Sequence, residues 1–555
     1  MNKSVKVVCG DKTIEFPKET SLLEVAKLFQ KDFKFPILIA RMNNEIEELT
    51  KPIEKHSTVS FYDRTSILGN FVYSRAVHFL MIVAVKHVLG SDVDVLIEHS
   101  IDKGIHCTII NGDLNEEILN KIEEEMHRIV EVDYKFVKIS VSRRDAIEYF
   151  KKKKQLDKVN VLKYISNSYI NLYRLDEYYD YFFSEMPYST KDVNEFKLNY
   201  IENNGFVLSY PTIKNPDATG DYIHHQMMFN AFLDYEKMGK TIGITKASDL
   251  NEIVSNGKYN DVIRLAEAHY NSQLTRVADD IYNRKGQTKI VLLAGPSSSG
   301  KTTTSRKLEI YLKAKGFKTH SISIDDYFLN RDDTPLKANG DYDFESVRAL
   351  DLDLFNTQLN KLLKGDRVEL PEYNFITGKR EYNKRYLRLG EDDIVIIEGL
   401  HALNDELTKD VKDEAKYKIY ICPLTQLNID NHNRIHTSDT RRLRRMVRDN
   451  KYRGYKAADT LKNWKNIVEG EEEYIFPYQD KADVIINSAL IYELGVLKTY
   501  AEPLLFSVSH EDEAYPEAIR LINFLRNFLP IPSDDIPSES VLREFIGGSC
   551  FNDRK

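Results

Sequence analysis

Short apolar runs alternate with longer amphipathic stretches over residues 286–500 of this chain. The runs cover residues 289–294, 321–324, 394–397, 417–420 and 484–486. Apolar runs of this length, separated by helical patterns, are typical of buried strands in a mainly parallel α/β sheet. Such sheets bind ligands at the carboxyl ends of their strands, so the polar residues that follow the runs are the candidates for chemistry.

The first 63 residues have a different pattern. Short β-type runs at 5–8 and 13–16 lie on either side of a Gly10-Asp11 turn. A helical stretch follows at 21–29, and β-type runs return at 36–40 and 59–61. The order strand, strand, helix, strand, strand predicts a β-grasp domain over residues 1–63.

The remaining boundaries follow further changes in this pattern. Residues 64–240 form a second unit, whereas residues 241–285 are polar and helical and predict a connector. Residues 286–500 form the α/β unit, and residues 501–555 are expected to form a tail that packs on the rest. The predicted fold class is therefore multidomain α/β.

Composition narrows the function classes. The 555 residues carry a formal net charge of −8, so a nucleic acid would need a local basic patch. The four cysteines are scattered without a C-x-x-C pair, which favours a reducing compartment over a disulfide framework or zinc ribbon. No signal-peptide pattern is evident, and the longest apolar stretch, 79–85, is too short to span a bilayer. We therefore expect a cytoplasmic protein with no membrane partner; the sequence leaves the oligomeric state open.

The residues after the first apolar run of the α/β unit fit the phosphate-binding pattern G-x-x-x-x-G-K-[ST] in full. They are Gly295, Pro296, Ser297, Ser298, Ser299, Gly300, Lys301 and Thr302, followed by Thr303. A strand pattern precedes them and a helical pattern follows, as this motif requires. In that setting backbone N–H groups cradle the phosphates of ATP, Lys301 reaches the β- and γ-phosphate oxygens, and the Thr302 hydroxyl binds Mg²⁺. We expect residues 295–303 to bind the nucleotide.

Two acidic residues follow later apolar runs. Asp325 comes directly after the run at 321–324, where a carboxylate can face the γ-phosphate and accept the proton of an attacking hydroxyl. Glu398 ends the run at 394–397, where a carboxylate completes the shell of Mg²⁺ opposite Thr302. The alternatives are an Asp-Asp turn that closes a strand and a glutamate that caps one.

A cluster of arginines occupies residues 441–453. On a helix Arg441, Arg445 and Arg448 share one face, with Arg453 just beyond. Arginines that fold over ATP neutralise charge in the transition state, and the alternative is a solvated basic face. His432 and His436 have a metal-ligand spacing, but the neighbouring arginines repel a cation, so we interpret this pair as structural.

Together, these residues resemble the uridine kinase and phosphoribulokinase family of P-loop kinases over residues 286–500. Residues 325–328 look like the family's D-S-[FY]-Y motif, whose first Asp is the catalytic base, which implies Asp325. Residues 341–344 resemble N-[FY]-D-H, whose Asp holds the ribose hydroxyls, which implies Asp343. The lid pattern R-R-x-x-R-D-x-x-x-R-G is present at 444–454, which implies Arg445, Arg448 and Arg453 as stabilisers of charge.

The nucleoside pocket shows both a match and a departure. Residues 370–375 are similar to the family's P-x-Y-x-[FY], which implies Tyr373 and Phe375 as pocket residues. Uridine kinases carry a base-reading histidine five residues after the pocket tyrosine, and Gly378 stands there in this chain. The resemblance implies an ATP- and Mg²⁺-dependent kinase for a nucleoside 5′-hydroxyl with an open base preference. A sugar or sugar-phosphate kinase, or an ATP-responsive RNA-binding or regulatory protein, are the alternatives.

The front half resembles two parts of threonyl-tRNA synthetases. Residues 39–45 and 57–61 look like the TGS domain. Residues 64–240 look like the second, editing-type domain, on the residues at 84–90, 95–100 and 103–107, and this resemblance implies an α+β fold there. That domain's centre uses H-x-x-x-H and C-x-x-x-H, but Phe79 and Val83 stand at the histidine positions and His78 is one position out of register. The resemblance implies a retained fold, lost deacylase chemistry, and a structural role or an RNA or protein partner.

Overall fold

The computed structural model describes residues 4–101, 104–220, 222–284, 286–337, 340, 342–374, 376–425 and 427–551. The strands are β1 Ser4–Cys9, β2 Lys12–Pro17, β3 Ile39–Met42, β4 Glu45–Glu47, β5 Ser57–Tyr62, β6 Asp94–Ile101, β7 Gly104–Ile110, β8 Val137–Ser142, β9 Tyr169–Leu175, β10 Tyr178–Tyr181, β11 Lys197–Ile201, β12 Gly205–Ser209, β13 Ile290–Ala294, β14 Lys318–Ser323, β15 Val368–Asn374, β16 Lys379–Leu387, β17 Asp393–Glu398, β18 Lys416–Cys422 and β19 Val484–Asn487. The helices are α1 Leu22–Phe29, α2 Ile67–Leu89, α3 Glu116–Val132, α4 Arg143–Lys152, α5 Leu156–Lys163, α6 Gln226–Ile242, α7 Ala247–Ser255, α8 Tyr259–Asn283, α9 Lys301–Ala314, α10 Leu352–Leu363, α11 Thr437–Arg453, α12 Ala457–Tyr474, α13 Glu493–Phe506, α14 Tyr515–Leu525 and α15 Arg543–Ile546.

A parallel five-stranded sheet forms the centre of the second half of the chain. Its order is β14-β17-β13-β18-β19, and every pair in it is parallel. All five residues of β13 are buried, because helices cover both faces of such a sheet and leave no solvent side for polar residues. The predicted α/β architecture of this region is confirmed. One strand ends earlier than expected: β14 stops at Ser323, and a 3-10 turn, Ile324–Tyr327, carries the acidic pair that follows.

The first unit of the chain is a separate sheet with the order β2-β1-β5-β3-β4. Its helix α1 begins at Ser21, whose side chain accepts a hydrogen bond from the backbone N–H of Glu24 in a capping box. Leu22 and Val25 of α1 are fully buried and share a core with Val59 of β5. The apolar face of the helix is thus paired with one face of the sheet.

A long helix, α2, dominates the second unit. By length and composition alone it is able to cross a membrane, and it is longer than the apolar run at 79–85 that the sequence suggests. Most of its apolar window is buried within the protein, however, against the antiparallel sheet β11-β12-β7-β6 and helix α3. Phe79 and Val83 are both fully buried in this core. Internal packing therefore accounts for the apolar surface of α2.

Helices α4 to α8 join the two halves. Phe150 and Leu162 from the front half share one core with Leu293 and Ile421 of the parallel sheet. The predicted connector region contains α7 and α8, and α8 packs along α9. The hydroxyl of Tyr270 in α8 lies 2.5 Å from the Thr304 hydroxyl in α9, so this region supports the helix that follows the phosphate-binding motif.

A buried ionic cluster ties the front half to the parallel-sheet half. The Lys158 ammonium lies 2.8 Å from a carboxylate oxygen of Asp180 and 2.8 Å from one of Asp430. His432 Nε2 lies 2.9 Å from Asp94, and His432 Nδ1 contacts Asp180. Burial alone lowers the pKa of His432, but the carboxylates of Asp180 and Asp94 outweigh it and raise that pKa to about 9. Buried charges persist only when they are paired like this, so the cluster fixes the halves to each other. It also confirms His432 as structural.

Replacing His432 with Gln is expected to lower stability at pH 6 by about 3 kcal/mol, because Asp94 and Asp180 lose one of their two buried cationic partners and keep only Lys86 and Lys158. The folded pKa lies above the unfolded value of about 6.5. The imidazolium therefore contributes fully below pH 6.5, and this contribution is lost as the pH rises through about 9. Thermal unfolding at a series of pH values between 6 and 9 measures this contribution. The stability of H432Q should depend less on pH than that of the wild type, and the control is the replacement of the exposed His510 with Gln. Equal pH slopes in wild type and H432Q would contradict the assignment.

Candidate functional site

The phosphate-binding motif lies between the carboxyl end of β13 and the start of α9. Gly295 passes so close to the next strand that an added Cβ would lie 2.1 Å from the carbonyl oxygen of Ile421. Gly300 has a φ of +88°, in the left-handed region that favours glycine. These two positions require glycine for backbone reasons, and between them they bend the loop around the first turn of α9.

Lys301 begins α9 and folds over the loop. Its ammonium donates to the carbonyl oxygens of Gly295 at 2.9 Å and Pro296 at 3.1 Å. Burial lowers the pKa of Lys301, and the carboxylates of Glu398 and Asp325 oppose that change. A cation, a helix N-terminus and a glycine-bounded loop thus converge on one point, which is the physical requirement for binding phosphate.

Both predicted carboxylates lie beside this cation. Ser323 of β14 pairs with Glu398 of β17, so the two strands end together, and Asp325 follows in the 3-10 turn. Burial raises the pKa of Asp325, against the charges of Lys301, Arg453 and Arg448. Burial and the charge of Asp325 raise the pKa of Glu398 to about 7.

The donor set here suits a hard divalent cation. Glu398 and Asp325 repel each other, and the Thr302 side chain is exposed at the first turn of α9. Carboxylate and hydroxyl oxygens are the ligands that Mg²⁺ prefers, and an added positive charge would relieve the repulsion. Glu398 and Thr302 are therefore the residues that could hold it.

Helix α11 brings three predicted arginines over the loop. Arg445 donates to the Ser297 hydroxyl at 2.5 Å. One buried carboxylate, Asp449, gathers all three: it lies 3.1 Å from Arg445, 3.3 Å from Arg448 and 3.2 Å from Arg453. Burial and the neighbouring charge of Arg453 lower the pKa of Arg448 to about 10. The sequence placed Arg453 beyond the helix, but it is the last residue of α11.

Two other arginines of α11 hold the helix in place. Arg441 pairs with Glu471 of α12. Arg444 is fully buried and donates to Glu493 at 2.7 Å and to the carbonyl of Ser488 at 2.8 Å. The three arginines predicted to share one face therefore have two roles: Arg441 anchors the helix, whereas Arg445 and Arg448 face the loop.

The acceptor side is formed by the hairpin β15–β16 and the segment around Asp343. Tyr373 is almost fully buried, its ring lies 5.5 Å from that of Phe328, and its backbone N–H is 3.4 Å from a carboxylate oxygen of Asp326. Asp343 Oδ1 is buried, and no hydrogen-bond partner for it is found among the described residues. Phe375, the other predicted pocket residue, lies outside the described residues.

A side chain from another segment occupies the space beside Gly378, where uridine kinases carry the base-reading histidine. Gly378 has a φ of +67°, and an added Cβ there would lie 2.8 Å from Cβ and 2.9 Å from Nε of Arg331. The backbone N–H of Arg331 also donates to the carbonyl of Gly378 at 2.8 Å. An arginine side chain thus lies against Gly378 at the tip of the hairpin.

Sequence reasoning missed several acidic residues of the site. Glu471 accepts a 2.7 Å hydrogen bond from the Ser297 backbone N–H, and Glu544 accepts one of 3.1 Å from that of Thr303. Burial raises the pKa of Glu345 to about 7, against the charge of Arg445. Glu471 and Glu544 stand far from the loop in sequence, in segments without a motif, so no local signal marks them, whereas Glu345 directly follows the motif at 341–344. Asp449 is different, because the lid pattern contains it.

The front half contains several buried histidines. Burial and neighbouring arginines lower the pKa of His78 to about 3. Within the described residues, Glu98, His99 and His106 have potential ligand atoms within 4.8 Å of one another. Burial lowers the pKa of His99 far below its ordinary range, and His106 and the cationic Arg434 lower it further. That positive charge opposes a bound cation in the cluster.

A cavity of about 640 Å³ lies where the first unit, α2, α12 and α14 meet. Charged side chains on its wall already have partners: Arg520 is 2.9 Å from Asp439, and Arg442 pairs with Glu517. The cavity is lined by none of the phosphate-loop residues.

Comparisons with known proteins agree on the same region. Residues 290–492 match the model of the phosphoribulokinase / uridine kinase family. A uridine kinase of Staphylococcus epidermidis is 29% identical over 204 residues, which are 36% of this chain and 87% of that protein. A uridine kinase of Macrococcus caseolyticus is 30% identical over 205 residues, 36% of this chain and 88% of that protein. A solved structure described as a possible uridine kinase from Bacillus stearothermophilus is 21% identical with a TM-score of 0.25, covering 36% of this chain and 89% of that one.

The matched region contains the parallel sheet, the phosphate loop, the acidic strand ends and the arginine helix described above. The match extends over 87–88% of each relative but only 36% of this chain, so the front half is additional to what these kinases share. This chain belongs to the phosphoribulokinase/uridine kinase family and is a phosphotransferase with an alcohol acceptor.

Proposed function

We propose that the protein transfers the γ-phosphate of ATP to the 5′-hydroxyl of a nucleoside. One observation carries the proposal: the Lys301 ammonium and the Arg445 guanidinium both donate hydrogen bonds to the same phosphate loop. The charges of Lys301 and of the lid arginines Arg448 and Arg453 also lower the pKa of Asp325, against the effect of its burial. A phosphate-binding cation, a candidate base and charge-stabilising groups are the parts that phosphoryl transfer needs.

Each part of the loop has a distinct role in this proposal. The backbone of residues 295–300 and the side chain of Lys301 bind the phosphates, and Thr303 adds an N–H and a hydroxyl at the first turn of α9. Thr302 and Glu398 would hold Mg²⁺, which supplies positive charge to the phosphates when it is bound.

Asp325 is the proposed general base. Burial raises its pKa, against the charges of Lys301 and the lid arginines, so its carboxylate has a greater affinity for a proton than an exposed aspartate. The carboxylate takes the proton as the acceptor hydroxyl attacks. Arg445, Arg448 and Arg453 stabilise the charge that develops, and Asp449 holds them together.

The acceptor side carries groups that suit a nucleoside. Asp343 Oδ1 is buried without a hydrogen-bond partner among the described residues, which suits the hydroxyls of a ribose. Tyr373 is proposed to supply aromatic surface for a base, and Phe375, the other residue predicted for this role, lies outside the described residues. Phosphoribulokinase-like transfer to a sugar or sugar phosphate is the alternative.

The proposed organisation is a TGS-like β-grasp domain at 1–63, an editing-like domain at 64–240, a connector at 241–285, the kinase domain at 286–500 and a tail at 501–555. The order of the first sheet and the burial of Phe79 and Val83 support a front half without deacylase chemistry. We propose that this half binds RNA or a protein partner, that the protein acts in the cytoplasm, and that an ATP-responsive regulatory role is the alternative from another class.

Replacing Asp325 with Asn should lower kcat by about 10²–10⁴ while ATP still binds, because the shape is kept and the proton acceptor is removed. The matched control is Asp353→Asn, which makes the same change on an exposed aspartate in the first turn of α10. It should change kcat by less than about tenfold. Steady-state kinetics with ATP titration separates the two. Near-normal turnover in the Asp325 variant would contradict its role.

The missing histidine at Gly378 predicts a broad base preference. Without a side chain that hydrogen-bonds the base edge, shape and stacking discriminate by only about 10–200-fold per group. The measurement is kcat/KM for uridine, cytidine, adenosine, guanosine and inosine. A preference above about 10⁴ for uridine would show that another side chain reads the base, and Arg331, which lies against Gly378, would be the first to replace with Ala.

A further inference from the structure

The phosphate loop is covered by the chain itself. Residues 295–300 are all buried, and Ser299 is completely so. Part of the cover is residues 540–547, which we call the capping segment and which contains the short helix α15. Ser540, Val541, Leu542 and Phe545 of this segment have no exposed surface. The segment is therefore a packed part of the site and not a loose strand above it.

Two contacts hold the capping segment against the loop and against helix α8. The Val541 side chain lies directly over Gly300, where an added Cβ would be 2.2 Å from Val541 Cγ2. The Ser540 hydroxyl donates at 2.5 Å to Glu267 of α8, the helix that supports α9. The segment thus touches the loop and is anchored to the element behind it.

Glu544 makes the most informative contact. Its carboxylate accepts hydrogen bonds from the backbone N–H of Thr303 at 3.1 Å and from the Thr303 hydroxyl at 2.9 Å. The N–H belongs to the first turn of α9, where a helix has donors without internal partners. These donors, at the positive end of the helix and next to Lys301, are the ones that suit a phosphate oxygen.

A second carboxylate acts similarly on the other side of the loop. Glu471 of α12 accepts from the backbone N–H of Ser297 at 2.7 Å. Two anionic side chains of this chain thus use N–H donors at both ends of the loop. Glu471 also pairs with Arg441, so it has a second structural task, whereas Glu544 makes its described hydrogen bonds to Thr303 alone.

The capping segment also contacts the lid helix, α11. The Lys451 ammonium of α11 donates to the carbonyl of Ile546 at 2.9 Å, and the Arg444 guanidinium lies 5.0 Å from the centre of the Phe545 ring. The lid helix carries the arginines that face the loop. Movement of the segment and movement of the lid are therefore coupled through shared contacts.

We propose that the capping segment, residues 540–547, is an autoinhibitory cover in which the Glu544 carboxylate occupies donors that a nucleotide phosphate needs. The proposal rests on the proposed function, in that the loop binds a nucleotide. A carboxylate and a phosphate are both anions and compete for the same N–H and hydroxyl of Thr303. A nucleotide binds tightly only to the form in which Glu544 has left, so the observed affinity is reduced by the fraction of protein in that form.

The test is binding of MgADP to the full chain by calorimetry, which needs no acceptor substrate. Glu544→Gln keeps the size of the side chain and removes its charge. The affinity for MgADP should rise about tenfold, because the carboxylate no longer stabilises the covered form. Glu539→Gln makes the same charge change on an exposed residue just before the segment and should leave the affinity unchanged.

Hydrogen exchange of the wild-type chain gives an independent readout. Backbone amides of residues 540–547 should exchange faster when MgADP is bound, because the segment leaves the loop. Unchanged or weaker MgADP binding in E544Q, or slower exchange of the segment with MgADP, would overturn the cover. Absence of MgADP binding in wild type and both variants would instead contradict the nucleotide site itself, and the cover with it.

Discussion

The Arg444 guanidinium is the contact on which the arrangement of the site depends. It is fully buried and bonds to Glu493 of α13, to Ser488 after β19 and, at 3.4 Å, to the carbonyl of Ser298 in the phosphate loop. Because its planar donors point in fixed directions, it sets the lid helix, the last strand of the sheet and the loop relative to one another. A lysine could not replace this fork. Truncation would leave the Glu493 carboxylate buried without a cation, which is costly.

Much of the kinase half could be predicted from the sequence. The apolar runs, the complete phosphate-binding motif, the acidic residue after β14 and the glutamate that ends β17 are local signals, and the parallel sheet brings them together as expected. Their individual roles stay predictions. Small errors came from end effects: β14 ends one residue early in favour of a 3-10 turn, and Arg453 remains inside α11. Hydrophobic periodicity does not fix the last residue of an element, because terminal turns depend on contacts made elsewhere.

The rest depended on contacts between distant segments. Glu471, Glu544 and the ionic partners of His432 lie far along the chain from the groups they touch, and nothing in their own surroundings marks them. The same holds for Arg331, which reaches Gly378 from another segment. The shared core was also not predictable from the sequence. Residues of the front half pack into the core of the parallel sheet, although the pattern of the sequence suggests separate units.

The ionic cluster between the halves has a consequence for how such a protein could change over generations. Asp430 and His432 lie in the kinase half, and they are neutralised by Lys158, Asp94 and Asp180 from the front half. A shortened gene that lost the front half would expose apolar core and strip these groups of their partners together, and no single substitution would repair both. While this cluster is present, loss of the front half in one step would leave buried charges of the kinase half unpaired, so the two halves depend on each other for inheritance as well as for folding.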